Sequence, residues 1–194
     1  LMVQDNLLSV QVHPGDVTVA DQAQGSLDIE QNLEDNPTVR VYDFGRRPGE
    51  YPELGFKLVN PASGLRRVPP VTVDRDGWSH EVLVADPHFA KARLNVPAGQ
   101  SADLGPQHDS YHVLHCLEGA VTVHAGNDEL ALERGETVLV PASMEDGLKL
   151  TAEADAEVFD DALPQIDKLT DYLARHGASN ADVQALLNPP PTRE

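Results

Sequence analysis

The residues best suited to chemistry lie on one face of a short predicted strand near the start of the chain. Ser9, Gln11 and His13 alternate with two valines, and in a strand this period of two puts the three polar side chains on one face. An amide and an imidazole aligned in this way are donors of the kind that hold zinc or another divalent transition metal. They form half of a metal site, since zinc normally takes three or four protein ligands.

The charge of the chain restricts its partners. It carries 14 Lys and Arg against 32 Asp and Glu, a formal net charge of −18 at pH 7. This field repels nucleic acids and anionic membranes, so neither is expected as a partner, and the acid excess itself is typical of a very soluble protein or a salt-rich environment. A sugar phosphate would need basic side chains gathered locally. Such arginines are Arg40, Arg46, Arg47, Arg66 and Arg67.

Cysteine content and hydropathy indicate a cytoplasmic protein. Cys116 is the single cysteine, so no intramolecular disulfide forms, and its apolar surroundings favour a buried, inert thiol over a nucleophile. No apolar stretch reaches the roughly 18 residues that span a bilayer, and no basic region typical of a signal peptide precedes the first strand.

Periodicity and turn residues divide the chain into four predicted segments. Residues 1–60 form a β unit, with strand-like runs at 7–13, 16–20, 26–30 and 38–44. Residues 61–78 are a connector, because prolines and glycines disfavour regular structure there. Residues 79–162 form a barrel of many short strands, and residues 163–194 a helical tail. The barrel runs are 80–85, 89–96, 111–117, 120–125, 128–133, 137–140, 147–151 and 156–160.

Two helices are predicted in the tail. The first follows Pro164 and ends at Gly177, and the second is capped by Ser179 or Asn180 and stopped by the prolines at 189–191. Their apolar stripes are Ile166, Leu169, Tyr172 and Leu173, then Val183, Leu186 and Leu187.

The stretch 111–141 resembles the cupin family. The resemblance rests on the Leu117-Glu118-Gly119 turn and on the element from Gly135 to Pro141. Physically, Gly119 and Gly126 permit tight turns between antiparallel strands, while Gly135 opens a strand that Pro141 closes. The expected fold is all-β: a cupin jelly-roll barrel with an N-terminal partial cupin-like β unit and two short C-terminal helices.

Metal-binding cupins carry a His-x-His pair and a glutamate at the first motif and a last histidine after the second. Here Pro106 and His108 fall at the pair, His112 lies near the glutamate position, and Met144 takes the last. His112 and His115 have odd spacing and should face opposite sides of a strand. We therefore expect no metal in this barrel.

A second resemblance covers the first 46 residues. Residues 5–14, Asp-Asn-Leu-Leu-Ser-Val-Gln-Val-His-Pro, resemble the Leu-Ser-x-Gln-Val-His-Pro signature of class I mannose-6-phosphate isomerases, which are built from cupin barrels. Residues 25–30 and 38–46 are similar to that family's later Glu-containing strand and its Arg-Val-Tyr-Asp segment. The barrel at 80–160 would then correspond to the family's C-terminal cupin, which normally holds no metal.

The resemblance implies a zinc site and a sugar-phosphate substrate. Family members interconvert mannose 6-phosphate and fructose 6-phosphate, an aldose–ketose isomerisation, by proton transfer between C1 and C2 in a site organised by zinc. Gln11 and His13 match two zinc ligands, and Asp21 lies near the position of a histidine ligand. The family's glutamate ligand comes from an intervening segment that is nearly absent here, so two of its four ligands match.

The same resemblance implies catalytic and substrate-binding residues. Glu30 matches an active-site carboxylate, and Arg40 matches a catalytic arginine that stabilises oxyanion charge or holds the phosphate. Ser9 and Arg46 are the predicted substrate-binding residues. Glu30 and Arg40 could equally form a cross-strand ion pair, as in any sheet.

Two functions therefore remain open. One is the isomerase; the other is a catalytically inactive cupin that binds a sugar or acts as an oligomeric scaffold, which would explain the missing ligands. A shortened N-terminal unit leaves apolar edges of the barrel uncovered, so a homodimer is expected in either case.

Overall fold

The computed structural model describes residues 10–12, 39–42, 53, 57, 68–105, 110–144 and 147–188. The chain divides into two compact units, Leu1–Leu65 and Arg66–Glu194. In the first unit, strands β1 (Val10–Val12) and β2 (Val39–Tyr42) form an antiparallel pair. They lie within the predicted runs 7–13 and 38–44, whereas the runs 16–20 and 26–30 lie outside the described residues.

The second unit is a two-sheet β structure. One antiparallel sheet has six strands in the order β10-β7-β12-β5-β4-β3, and the other has four in the order β6-β11-β8-β9. From β5 onward the chain passes repeatedly from one sheet to the other, which is the connectivity of a jelly roll. The strands are β3 (Val71–Arg75), β4 (Trp78–Asp86), β5 (Phe89–Val96), β6 (Ser101–Asp103), β7 (His112–Glu118), β8 (Ala120–Ala125), β9 (Asp128–Glu133), β10 (Thr137–Val140), β11 (Lys149–Thr151) and β12 (Ala156–Ala162).

All eight strand-like runs predicted for the barrel are confirmed as strands, with two additions. Strand β3 lies in the predicted connector: Val71 and Val73 alternate with exposed residues and are buried, and Gly77 (φ 94°) turns the chain into β4. The prolines that suggested a connector end just before this strand. Strand β6 has three residues and one apolar side chain, Ala102. This is too short for an alternating pattern to be recognised in the sequence.

The turn at Gly119 joins two strands that do not pair with each other, although a tight turn between antiparallel strands is predicted there. Strands β7 and β8 belong to different sheets, so Gly119 forms a corner through which the chain crosses from one sheet to the other. Its φ of 72° favours glycine. A Cβ at this position would lie 3.0 Å from Cα of Ala156 and still closer to the carbonyl oxygen of Asp155. The predicted hairpin turn at Gly126 is confirmed, because β8 and β9 pair on either side of it.

The space between the two sheets is filled by apolar side chains at alternate strand positions. Leu94, Leu114, Cys116, Leu150 and Val158 are all completely buried there. The burial predicted for Cys116 is thus confirmed. This interior is a packed core, and it fixes which face of each strand points inward.

Both predicted tail helices are present, as α1 (Ile166–Arg175) and α2 (Asn180–Leu187). Ser179 caps α2, its hydroxyl oxygen accepting a hydrogen bond from the backbone N–H of Asp182 at 3.1 Å. The helices cover the part of the six-stranded sheet formed by β3 to β5. The residues that meet there are Val71, Val73, Val82, Ala85, Ala90, Ala92, Leu169, Tyr172, Leu173, Val183 and Leu186. Neither helix is long and apolar enough to cross a membrane.

Candidate functional site

The β1–β2 pair brings two predicted site residues together. Gln11 and Arg40 are direct register partners, with Val12 opposite Val39 on one side and a register irregularity next to Val10 on the other. Directly opposed residues of an antiparallel pair share one face and have Cβ atoms about 4.5–5.5 Å apart. A predicted metal ligand and a predicted catalytic arginine therefore occupy neighbouring positions on one face, although 28 residues separate them in the sequence.

The other predicted site residues lie outside the described residues. They are Ser9, His13, Asp21, Glu30 and Arg46. Their predicted roles stay predictions. Among the predicted site residues, the described part of the chain therefore shows one relationship, the register of Gln11 with Arg40.

The second unit separates its histidines as expected. His112 is 1% exposed and faces the barrel interior, whereas His115 lies on the opposite face of β7 and contacts the hydroxyl of Thr137. The predicted division of these two side chains between opposite faces is confirmed. Within the described part of the chain, no three or more His, Cys, Asp and Glu side chains converge in a group that could hold a metal ion.

His112 makes an ion-pair contact that the sequence analysis missed. Its Nδ1 lies 2.9 Å from Oδ1 and 3.0 Å from Oδ2 of Asp160, and both residues are buried. The sequence signal for this pair is that each residue occupies an inward position of its strand: His112 is in phase with Leu114 and Cys116 of β7, and Asp160 is in phase with Val158 and Ala162 of β12. A carboxylate in this position is a hydrogen-bond acceptor for Nδ1 and fixes the orientation of the imidazole.

A second buried polar group joins α1 to the sheet. The hydroxyl of Tyr172 accepts a hydrogen bond from Arg75 Nη1 at 2.9 Å and lies 2.8 Å from His80 Nδ1, to which it can donate. The Arg75 guanidinium carbon also lies 5.3 Å from the ring centroids of both Tyr172 and Trp78. These hydrogen bonds provide partners for the polar atoms of Tyr172 and His80, which are almost completely buried. They therefore attach helix α1 to the sheet.

Two further groups have shifted pKa values. Burial lowers the pKa of His176, whose ring lies 4.8 Å from that of Tyr172, and the positive charges of Arg75 and Arg175 lower it further. Burial raises the pKa of the Cys116 thiol, and nearby carboxylates raise it further. Cys116 is therefore a protonated core residue at neutral pH and has no nucleophilic character.

Comparison with known proteins identifies the fold. No protein-family model and no curated protein sequence matches the chain. Among solved structures, the mannose 6-phosphate isomerase from Bacillus subtilis is similar at 16% identity with a TM-score of 0.52, over 64% of this chain and 40% of that one. KdgF from Halomonas sp. is 19% identical with a TM-score of 0.43, over 50% of this chain and 91% of that one. An RmlC-like cupin from Shewanella frigidimarina is 16% identical with a TM-score of 0.41, over 48% and 82%.

At these identities the likeness establishes the fold alone. The two-sheet topology and the similarity to the isomerase structure agree on a cupin jelly roll, which confirms the predicted fold class. The chain spans 40% of the length of that isomerase structure.

Proposed function

We propose that this chain is a zinc-dependent aldose–ketose isomerase that interconverts mannose 6-phosphate and fructose 6-phosphate in the cytoplasm. The observation that carries the proposal is the register of Gln11 with Arg40 in the β1–β2 pair. This register supports the proposal because a polar sugar-phosphate site needs a metal ligand and an anion-binding residue at neighbouring positions.

The donor set proposed for the metal is Gln11, His13 and Asp21. An amide oxygen, an imidazole nitrogen and a carboxylate oxygen suit zinc, and three protein ligands leave a coordination position open for substrate. When bound, zinc would polarise the sugar carbonyl and so acidify the neighbouring C–H group.

The proton transfer is assigned to Glu30. For the aldose, its carboxylate would take the proton from C2 and return it to C1, while the O2 hydroxyl proton passes to O1, so that the ketose forms without gain or loss of atoms. Arg40 would neutralise the negative charge that develops on the oxygens. Ser9 and Arg46 would bind a sugar hydroxyl and the phosphate.

The cupin fold supports this proposal. The similar Bacillus subtilis structure is a mannose 6-phosphate isomerase by name, and the similarity covers 64% of the present chain. The barrel of the second unit would then contribute no catalytic residue, since its interior is filled by side chains such as Leu94 and Leu114.

A cupin that binds the sugar phosphate without converting it is the second candidate. The short segment between His13 and Glu30 favours it, because the isomerase family that these motifs resemble takes its glutamate ligand from there, and no glutamate lies between the two residues in this chain. Binding of mannose 6-phosphate without conversion would distinguish this function from the isomerase.

Metal content and turnover of the full chain test the proposal. We expect stoichiometric zinc by elemental analysis and chelator-sensitive conversion of mannose 6-phosphate to fructose 6-phosphate. His13→Ala should lose zinc and activity, whereas Glu30→Gln should keep zinc and lose about 10²–10⁴-fold in turnover. His124→Ala, on the outer face of the other unit, is the matched control and should keep both. Wild-type protein with neither zinc nor conversion would exclude the isomerase.

A further inference from the structure

The outer face of the six-stranded sheet is organised in rows of register partners. Its residues alternate with those of the packed interior and are half-buried or exposed. One row crosses all six strands and reads Thr72, Glu81, Arg93, Phe159, His115, Thr137. The next row reads Val84, Lys91, Asp161, Val113, Leu139.

The order of residues within the rows is self-complementary. The cations Lys91 and Arg93 lie on β5, and their partners on the adjacent β12 are a carboxylate, Asp161, and an aromatic ring, Phe159. Within one chain Lys91 Nζ lies 3.5 Å from Asp161 Oδ2 and 4.8 Å from the Phe159 ring centroid. Each cation on β5 thus lies opposite a group on β12 that attracts cations, either a carboxylate or an aromatic ring.

We propose that the chain forms a homodimer by stacking this face on the same face of a second copy. A two-fold axis parallel to the strands, between β5 and β12, would place β5 of each copy over β12 of the other. Lys91 would then face Asp161 of the second copy, and Arg93 would face its Phe159. Aligned packing of sheets about 10 Å apart is an ordinary geometry for such an interface.

The flanking strands match under the same operation. Strand β4 would lie over β7 of the second copy, so that Val84 faces Val113 and Glu81 faces His115. The first contact is apolar, and the second joins a carboxylate to an imidazole. Both rows are therefore complementary over four strands with a single choice of axis.

The arrangement of charge along the rows favours a second copy as the occupant of this face. Two chains of net charge −18 repel each other, so contact requires cations of one copy to face carboxylates of the other. On the six-stranded face the cations Lys91 and Arg93 are ion-paired with the carboxylates of Glu81, Glu157 and Asp161, and two further carboxylates, Asp74 and Asp86, lie at outward register positions near the ends of the strands. The outer face of the four-stranded sheet has one lysine, Lys149, against the carboxylates of Asp103, Glu129 and Glu133.

Exposed apolar side chains continue the same face. Leu139 on β10 is 61% exposed, and Tyr111 and Leu163, at 45% and 42%, extend the outward alternation of β7 and β12. Dimerisation would remove part of this apolar surface from water. The proposed contact is a sheet face, not the uncovered barrel edges expected from the sequence, and it is independent of any zinc or substrate.

Exchange of charge across the proposed interface tests it. The full chain should have the mass of a dimer by light scattering and sedimentation. Lys91→Glu and Asp161→Lys should each raise the dimer dissociation constant by more than about tenfold, because like charges then face each other. An equimolar mixture of the two variants should recover a dimer, because each altered residue meets its opposite in the other chain.

Matched variants and folding measurements complete the experiment. Lys149→Glu makes the same charge change on the four-stranded sheet and should leave the dimer intact. Should either charge variant fail to fold by circular dichroism, His115→Glu, which faces Glu81 and leaves Lys91 and Asp161 in place, should also weaken the dimer. A monomeric wild-type chain would overturn the proposal. A mixture of folded variants that stays monomeric, or equal weakening by Lys149→Glu, would also overturn it.

Discussion

His112 and Asp160 form a buried pair inside the barrel, with Nδ1 of the imidazole within 3.0 Å of both carboxylate oxygens. Removing one member of such a pair breaks a buried hydrogen bond to a carboxylate in a medium that solvates polar groups poorly. We therefore expect Asp160→Ala to lower the free energy of unfolding by about 3–5 kcal/mol, measured by urea denaturation. Asp171→Ala, at an exposed position of α1, is the control and should change it by less than about 0.5 kcal/mol. Equal effects of the two substitutions would show that the buried pair contributes nothing to stability.

Gly119 and Gly135 offer a matched test of the corner between the sheets. Both have positive φ values, 72° and 86°, so alanine incurs a similar backbone cost at each. A Cβ at Gly119 would collide with the backbone of residues 155 and 156, whereas a Cβ at Gly135 meets nothing within 4 Å. Gly119→Ala should therefore destabilise the protein by about 1–3 kcal/mol more than Gly135→Ala in thermal or urea unfolding. Similar losses would indicate that the corner relaxes freely.

His176 should make the protein less stable in mild acid. Burial, then Arg75 and Arg175, hold its pKa below the ordinary value of 6.5. As pH falls through that value, the unfolded chain takes up a proton at this residue before the folded protein does, so folding is penalised; above it both states are neutral and the penalty vanishes. The unfolding free energy of His176→Gln should fall less between about pH 7.5 and pH 5.5 than that of the wild type, at one fixed protein concentration.

Arg175→Gln removes one of the charges that lower the pKa of His176 and keeps the histidine. Its loss of stability over the same pH interval should lie between those of the wild type and His176→Gln. Parallel stability curves for all three proteins would assign the acid sensitivity to other groups.

Cys116 should react very slowly with thiol reagents in the folded protein. It is completely buried, its Sγ lies 3.5 Å from the carbonyl oxygens of Glu118 and Gly119, and burial raises its pKa. A disulfide reagent should label it more than about 100-fold faster in urea than in native buffer, since attack requires both exposure and the thiolate. Glu129→Cys adds an exposed thiol to the same molecule, which should react at once. Rapid labelling of native wild-type protein would contradict the burial of this residue.

Most of the fold could be predicted from the sequence because its elements bury one face. The alternation in β5, Ala90-Lys91-Ala92-Arg93-Leu94, and the helical spacing of Leu169, Tyr172 and Leu173 directly reflect which side chains are buried. Strand β3 was missed because neighbouring prolines outweighed the short alternation of Val71 and Val73. The corner at Gly119 was predicted only as a tight turn between antiparallel strands, because a glycine indicates the local bend and not the sheet that the next strand joins.

The site was less predictable, because it depends on register between distant segments. Types and spacing identified Gln11 and Arg40 separately, but only strand pairing shows that they oppose each other. His112 and Asp160 lie 48 positions apart in the sequence, on two separate strands that the fold brings side by side. A polar residue at an inward position of an otherwise apolar strand was the available signal, and it applied to both members.

The tail helices and the first barrel strand share one core, since Leu169, Leu173 and Val183 pack with Val71 and Val73. During synthesis the strands leave the ribosome well before the helices that cover them. The apolar face of β3 and β4 therefore stays uncovered until residues 166–187 have been made. During that interval, incomplete chains on neighbouring ribosomes would expose apolar surface through which they could aggregate. Expression yield should therefore depend on chaperones that shield this face late in translation.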